Sequence, residues 1–313
     1  MRKAILFLIL SVLMLVPNMA VDASNCVAIT SLPYTVLSAG NYCLTGNLTA
    51  SGGGINIAAS NVTIDFQGHT IYGSQASNNT FFGIYSNDRN NITIRNGEIV
   101  GFFYAVRIDD ASYGRPEPYD TGGHLIEDME ISRSTFRGIV IRGQGNTIRN
   151  NIIRFIRGNT LYTNSFAIGI ESTGQGLVVE DNMIYEVRGR GISDIGEGVG
   201  IAVSGAGSGS VIRDNVIVNS SIEENDNTDW AGLSRSTYAI WVGGDSNVVI
   251  HGNIIQNFMY GVAFPSTVEP SLIFNNTITN SYAPITASAV IHMIVGNVCD
   301  WDCLTPIDPI PSR

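Results

Sequence analysis

Apolar and polar positions along this chain return in one six-residue block: an aliphatic residue, a charged residue, Asn or Asp, Asn, then two apolar residues. It reads Ile148-Arg149-Asn150-Asn151-Ile152-Ile153, Val179-Glu180-Asp181-Asn182-Met183-Ile184 and Ile212-Arg213-Asp214-Asn215-Val216-Ile217. Ile250-His251-Gly252-Asn253-Ile254-Ile255 and Ile273-Phe274-Asn275-Asn276-Thr277-Ile278 continue it. Weaker copies lie at Ile94, Ile126 and Ile294, and Asn61-Val62-Thr63-Ile64-Asp65 opens the series with one extra residue at its turn.

A shorter block precedes each copy. Its aliphatic column is Ile55, Ile84, Val106, Ile139, Ile170, Ile201, Ile240, Val262 and Ile285. The matching column in the longer block is Ile64, Ile94, Ile126, Ile148, Val179, Ile212, Ile250, Ile273 and Ile294. The gap between paired columns is 9 to 11 residues in eight of the nine pairs. Each block is too short for a helix and alternates apolar with polar, which is the strand period. A minimal repeat of about 21 to 23 residues holds three short strands and three turns, one winding of a solenoid. Stacked windings bury one aliphatic column on the next, so each coil is stable only beside its neighbours. Asn, Asp or Gly at the turns suits left-handed backbone, and stacked Asn side chains can hydrogen-bond from coil to coil. The pattern predicts an all-β chain: a single-stranded parallel β-helix of about nine coils.

The ends read differently. Arg2 and Lys3 precede an apolar run from Ala4 to Val16, and Val21-Asp22-Ala23 places small residues before Ser24. This is the pattern of an export signal over residues 1–23, with an uncleaved signal anchor as the alternative. The run is shorter than the about 20 residues a membrane span needs. A cap over 24–52, the β-helix over 53–300 and an extended tail over 301–313, with Pro306, Pro309 and Pro311, complete the expected organisation. Four cysteines lie in pairs at the two ends, and in an exported protein an even count suggests disulfides. Cys26–Cys43 and Cys299–Cys303 is the economical pairing, with free buried thiols as the alternative.

Charge narrows the partners. The formal net charge is −10, and no Lys follows Lys3. Removing residues 1–23 leaves 15 Arg against 26 acids, near −11. Nucleic acid and anionic lipid need basic surfaces, so both are expected to be excluded, as is membrane insertion after signal removal. A local Arg cluster could still hold an anionic substrate.

The coils with Asn at the turn between second and third strands resemble the pectin-lyase-like right-handed parallel β-helix superfamily. The opening Cys43-Leu44-Thr45-Gly46-Asn47-Leu48, followed by Asn61-Val62-Thr63-Ile64-Asp65-Phe66-Gln67-Gly68-His69-Thr70-Ile71, is similar to the start of many exported proteins of this type. The resemblance covers roughly residues 26 to 300 and implies a right-handed solenoid. It implies no single activity: the superfamily holds polysaccharide lyases, hydrolases, epimerases, phage tailspikes and a periplasmic copper-site maturation protein. No family-specific catalytic motif is present to carry over.

The resemblance makes the short block the first strand and implies a substrate cleft along its outward face. Insertions at about 72–80, 110–124, 156–166, 186–198 and 219–237 would wall it. Strand alternation turns Arg107, Asp109, Arg142 and Glu171 outward, and these are the candidate catalytic residues. Tyr85 and Trp241 flank them, and the loops add Tyr113, Arg188 and Trp230 as candidate substrate contacts. Arg115, His124, Tyr162, Arg190, Asp194, Glu197 and Asp229 are further loop candidates. Two chemistries fit. In β-elimination from a uronic acid, Arg neutralises the substrate carboxylate while a base removes the neighbouring proton; no cofactor is certain, but acids such as Asp109 make Ca²⁺ a candidate. In hydrolysis two carboxylates flank the glycosidic bond, and Asp109 and Glu171, two coils or roughly 9 to 10 Å apart, suit an inverting pair. A plain surface network of Arg–carboxylate pairs is the competing structural account.

The outward second-strand residues Asp65, Arg95, Glu127, Arg149, Glu180, Arg213 and His251 alternate in sign and are expected to form a stabilising ladder. His69 and His292 have no evident partner and are taken as structural. No zinc spacing or phosphate-binding Gly loop occurs, so no metal-ligand set is assigned. The leading expectation is an exported carbohydrate-active protein, secreted, periplasmic or at the cell surface, acting as a lyase or hydrolase on an acidic polysaccharide. The alternative is a non-catalytic β-helix that binds glycan or serves in surface assembly.

Overall fold

The computed structural model describes residues 25–112, 120–161, 166–189, 198–204, 209–220, 237–244, 247–267, 270–287 and 292–306. The expected signal segment 1–23 and the tail from residue 307 lie outside them. Among the described residues there are strands and turns but no helix, hence none long and apolar enough to cross a membrane. The strands form an eleven-stranded and a nineteen-stranded sheet, and neighbours within each are parallel. This is a parallel β-helix, and its register follows the two sequence columns. Ile55 pairs with Ile84, Ile84 with Val106, and the series runs through Ile139, Ile170, Ile201, Ile240 and Val262 to Ile285. The second column runs in the same way from Ile64 to Ile294. A third, from Ile71 through Ile99, Ile131, Ile153, Ile184, Ile217 and Ile255 to Ile278, completes the core. These three aliphatic stacks fill the bore, and from Ile64 to Ile285 their members are almost wholly buried.

One feature of the first strands breaks the simple alternation. Just before the inward column lies a column of small residues: Gly83, Ala105, Gly138, Gly169, Gly200, Ala239 and Gly261. A Cβ on Gly138 would meet the Gly169 carbonyl oxygen at 2.4 Å, and one on Gly200 would meet a methyl of Ile217 at 2.7 Å. The chain kinks inward there against the third-strand stack, so the residue before it turns outward again.

The turn between second and third strands is built from two positions. The first takes left-handed backbone, as in Asn150, Asp181, Asp214 and Asn275, with Gly252 and Gly296 in the same role. The second is a ladder of Asn151, Asn182, Asn215, Asn253, Asn276 and Asn297. Each of the first five donates an Nδ2–H to the Oδ1 of the next at 2.9 to 3.0 Å. That Oδ1 also accepts the backbone N–H of the Asn in the coil before. Met129 stands at this position one coil before Asn151 and donates only its backbone N–H.

The expected charge ladder on the second strand is present: Arg95 holds Asp65, Arg149 holds Glu127 and Arg213 holds Glu180. His251 departs from it and stacks on Phe274 at 4.7 Å. Both disulfides form as paired from the sequence, Cys26–Cys43 and Cys299–Cys303, one at each end of the described solenoid.

Candidate functional site

On the first-strand sheet, Val106, Ile108, Ile139, Ile141 and Ile170 point into the bore and are fully buried. Their neighbours Arg107, Asp109, Arg142 and Glu171 lie on the outer face, and three strands bring them together: Tyr104–Asp109, Arg137–Arg142 and Ala167–Thr173. Register sets Arg107, Val140 and Glu171 in one row. Arg107 Nε donates to Asp109 Oδ2 at 2.6 Å, and Arg142 Nη1 takes the other Asp109 oxygen. Arg142 Nη2 also lies 3.8 Å from Glu171 Oε1. One guanidinium therefore stands between the two carboxylates.

The Arg–carboxylate pairs that the sequence allowed as a surface network are present, but they are partly buried. Side-chain exposure of these four residues runs from 11 to 28%, against 45 to 46% for Arg149 and Arg213 on the second-strand ladder. Val140, also outward, is 1% exposed beneath them. The charges form a layer over an apolar floor, where low dielectric strengthens each pairing.

Arg137 completes the cluster and was missed in the sequence reading. Its Nε donates to Glu171 Oε2 at 2.7 Å, its Nη1 donates to the Phe166 carbonyl, and its guanidinium lies 3.8 Å from the centre of the Phe136 ring. Arg107 similarly lies over Tyr104 at 4.9 Å and Phe82 at 5.5 Å. Such cation–π contacts gain strength when partly desolvated. The outer face thus holds three arginines, two carboxylates and an aromatic border. Burial raises the Tyr85 and Tyr104 hydroxyl pKa values, with Asp109 adding to the rise at Tyr85. Burial pulls the Arg107 pKa down, but Asp109 outweighs it and the value stays above normal.

The remaining sequence candidates fall into place unevenly. Tyr85 stacks on Phe82 beside Arg107. Trp241 lies two coils beyond Glu171, packed on the outer-face cluster of Ile168, Val199 and Ala202. Arg188 ends a strand of the other sheet, where Glu186 and Ser220 hold it. Tyr113, Trp230, Arg115, Tyr162, Arg190, Asp194, Glu197 and Asp229 lie outside the described residues. The Ca²⁺ expectation does not fit the donor set: both oxygens of Asp109 are taken by guanidinium groups. Among the described residues no group of three or more His, Cys, Asp or Glu could hold a metal.

His124, a loop candidate from sequence, is instead buried at the first turn. Its Nδ1 accepts the Ile92 backbone N–H at 3.2 Å, which puts the ring proton on Nε2. Asn146 does the same one coil later, accepting the His124 N–H at 3.0 Å, and Ser210, Ser271 and His292 repeat the device further on. Burial lowers the His124 pKa from 6.5 to about 4, with Asp110 pulling weakly upward. The unfolded chain therefore binds this proton more readily than the folded one. Stability from the neutral ring is complete above about pH 6.5 and is lost as pH falls toward 4, on the order of 3 kcal/mol. His124→Asn should keep the acceptor and lose the titration. Urea midpoints near pH 7 and pH 4 should converge for the variant relative to the native chain; an equal acid loss in both would acquit His124.

A family model described as the right-handed β-helix region matches residues 83–297. No curated protein matches the sequence. Among solved structures, a variant of the periplasmic alginate epimerase AlgG aligns at 11% identity with a TM-score of 0.50, covering 83% of this chain and 70% of that one. The catalytic domain of a GH87 α-1,3-glucanase in complex with nigerose aligns at 15% identity and a TM-score of 0.47, over 89% of this chain and 61% of that one. XylC in complex with xylose aligns at 13% and 0.43, over 80% and 38%. The chain thus spans less than two thirds of the last two, and at these identities the likeness concerns the fold alone.

Proposed function

Given that this chain belongs to the right-handed β-helix family, in which the bore is packed and the chemistry is left to the outer faces, we propose that it is an exported carbohydrate-active protein acting on an acidic polysaccharide along its first-strand face. The observation that carries the reading is the part-buried cluster of Arg107, Asp109, Arg137, Arg142 and Glu171 over Val140. Guanidinium groups suit sugar carboxylates because the planar fork donates two parallel hydrogen bonds. The rings of Phe82, Tyr85 and Tyr104 beside them offer faces to the C–H side of a sugar. Two disulfides fit a protein matured in an oxidising compartment.

Within that reading, Arg107 and Arg142 neutralise a substrate carboxylate and Glu171, the more exposed of the two acids, serves as the proton acceptor or donor. Elimination and hydrolysis both use this arrangement. For Asp109 and Glu171 to act as an inverting pair, Arg142, which stands between them, must swing aside for the substrate and the attacking water. One observation favours the non-catalytic alternative: each carboxylate already binds two arginines in the free protein. A panel of acidic and neutral polysaccharides, read for new reducing ends and for the ultraviolet absorbance of unsaturated product, separates the readings. An enzyme should give signal in one channel on acidic substrates. Silence in both, with glycan binding retained, would establish the binding module instead.

A further inference from the structure

Eight of the eleven described arginines pair with a carboxylate, as befits a chain of net charge −10. Arg89 instead donates to the Asp88 carbonyl. The other two, Arg133 and Arg157, line the same pocket. Its volume is about 450 Å³, inside the range of about 300 to 1,000 Å³ common for small-molecule sites. Gln75, Ser77, Thr135 and Phe155 share the lining, and no acid does. The one side-chain link of Arg133 is to the neutral Gln75 Oε1 at 3.2 Å. Neither cation is spoken for.

The pocket is roofed by two of the insertions read from the sequence. They meet across the two intervening coils of Ile99 and Ile131: Thr160 N donates to the Ser77 carbonyl at 2.9 Å, and Asn159 Nδ2 donates to the Asn79 carbonyl at 2.8 Å. Asn159 and Asn79 are themselves buried, so the bridge is a packed element of the fold. Three lining residues hold left-handed backbone, Gln75 at φ 55°, Arg133 at 57° and Phe155 at 56°. At the same turn the intervening coil of Ile99 places Gly101, and the later coils place Glu186, Asn257 and Asn280, of which the glycine and the asparagines suit that conformation. Bulky residues kept there mark strain that the surroundings impose, a recurrent property of ligand sites.

We propose that this pocket is a second carbohydrate site that takes one sugar acid, its carboxylate on Arg133 and Arg157, its hydroxyls on Ser77, Thr135 and Gln75, and its apolar face on Phe155. The choice of a sugar acid over a bare anion rests on the acidic-polysaccharide reading above, together with the hydroxyl-bearing and aromatic lining. The site lies on the wall leading into the first strands, so it would hold a flanking unit of the chain bound at the Arg–carboxylate cluster.

Isothermal titration with glucuronate, glucose and inorganic sulfate tests this. Glucuronate should bind saturably and more tightly than either comparator. Arg157→Gln and Arg133→Gln should each weaken it at least about tenfold, as expected for loss of a charge-assisted pair, while Arg149→Gln on the exposed ladder should not. No saturable binding, native affinity retained in the two pocket variants, or sulfate binding as tight as glucuronate overturns the proposal. So does glucuronate binding that survives both pocket variants but is lost in Glu171→Gln, which would move the site to the cluster. If the polysaccharide panel is silent while glucuronate binding depends on Arg157, the pocket stands and the enzymatic reading falls.

Discussion

Asn215→Ala should cost the fold about 4 kcal/mol, more than any single change on the charged second-strand ladder. Asn215 is fully buried. Its Oδ1 accepts the Asn182 backbone N–H at 3.0 Å and the Asn182 Nδ2–H at 2.9 Å, and its own Nδ2 donates to the Val179 carbonyl at 2.9 Å. Alanine leaves two donors of Asn182 buried without that acceptor, at about 1 to 3 kcal/mol each, and opens a small void besides. Arg213→Ala, two residues earlier, removes an exposed pair and should leave stability nearly unchanged. Urea denaturation of the two variants beside the native chain makes the comparison. Equal midpoints would mean that the aliphatic stacks alone tie the coils together.

Glu171→Gln and Arg107→Ala should each lower turnover on an acidic polysaccharide by at least about 100-fold, the low end for a positioned acid or base. The glutamine keeps a hydrogen-bond acceptor for Arg137, so folding should change little. Arg107→Ala leaves Asp109 held by Arg142 and should likewise fold. Arg149→Ala and Arg213→Ala, on the other sheet, are the matched controls and should retain activity. Activity lost in the controls and kept in the cluster variants would place the chemistry on the second-strand face.

The repeat was readable because one physical rule, an inward aliphatic residue every coil, governs each column; Ile55 to Ile285 and Ile64 to Ile294 pair as the spacing predicts. The disulfides were readable for the same reason, since a solenoid separates its ends and leaves each cysteine one near neighbour. Arg137 was not readable. Counting back by twos from Ile139 points Arg137 into the bore. The kink at Gly138, where no Cβ fits against Gly169, resets the alternation and turns Arg137 outward. A column of glycine and alanine before the inward residues from Ile55 to Val262 was the available signal. The pocket at Arg133 and Arg157 was hidden for a different reason: it depends on Ser77 meeting Thr160 across two skipped coils, and nothing in either insertion encodes the other. The burial of the Arg–carboxylate cluster was hidden too, because it follows from how long side chains fold over Val140.

The asparagine ladder has a direction, and that direction matters while the chain is being delivered. From Asn151 to Asn276 every rung gives its backbone N–H and one side-chain N–H to the coil that follows it in sequence, while the amide also reaches back to a carbonyl of the coil before. A chain emerging amino end first therefore always presents a newest rung whose backbone N–H and one side-chain N–H are still bare, waiting for an acceptor not yet made. Each arriving coil satisfies its predecessor and exposes its own rung in turn. Growth by such templating is polar, like the elongation of a filament from one end. A chain halted between Asn182 and Asn215 would carry a sticky, hydrogen-bond-hungry edge suited to capturing another chain's strand.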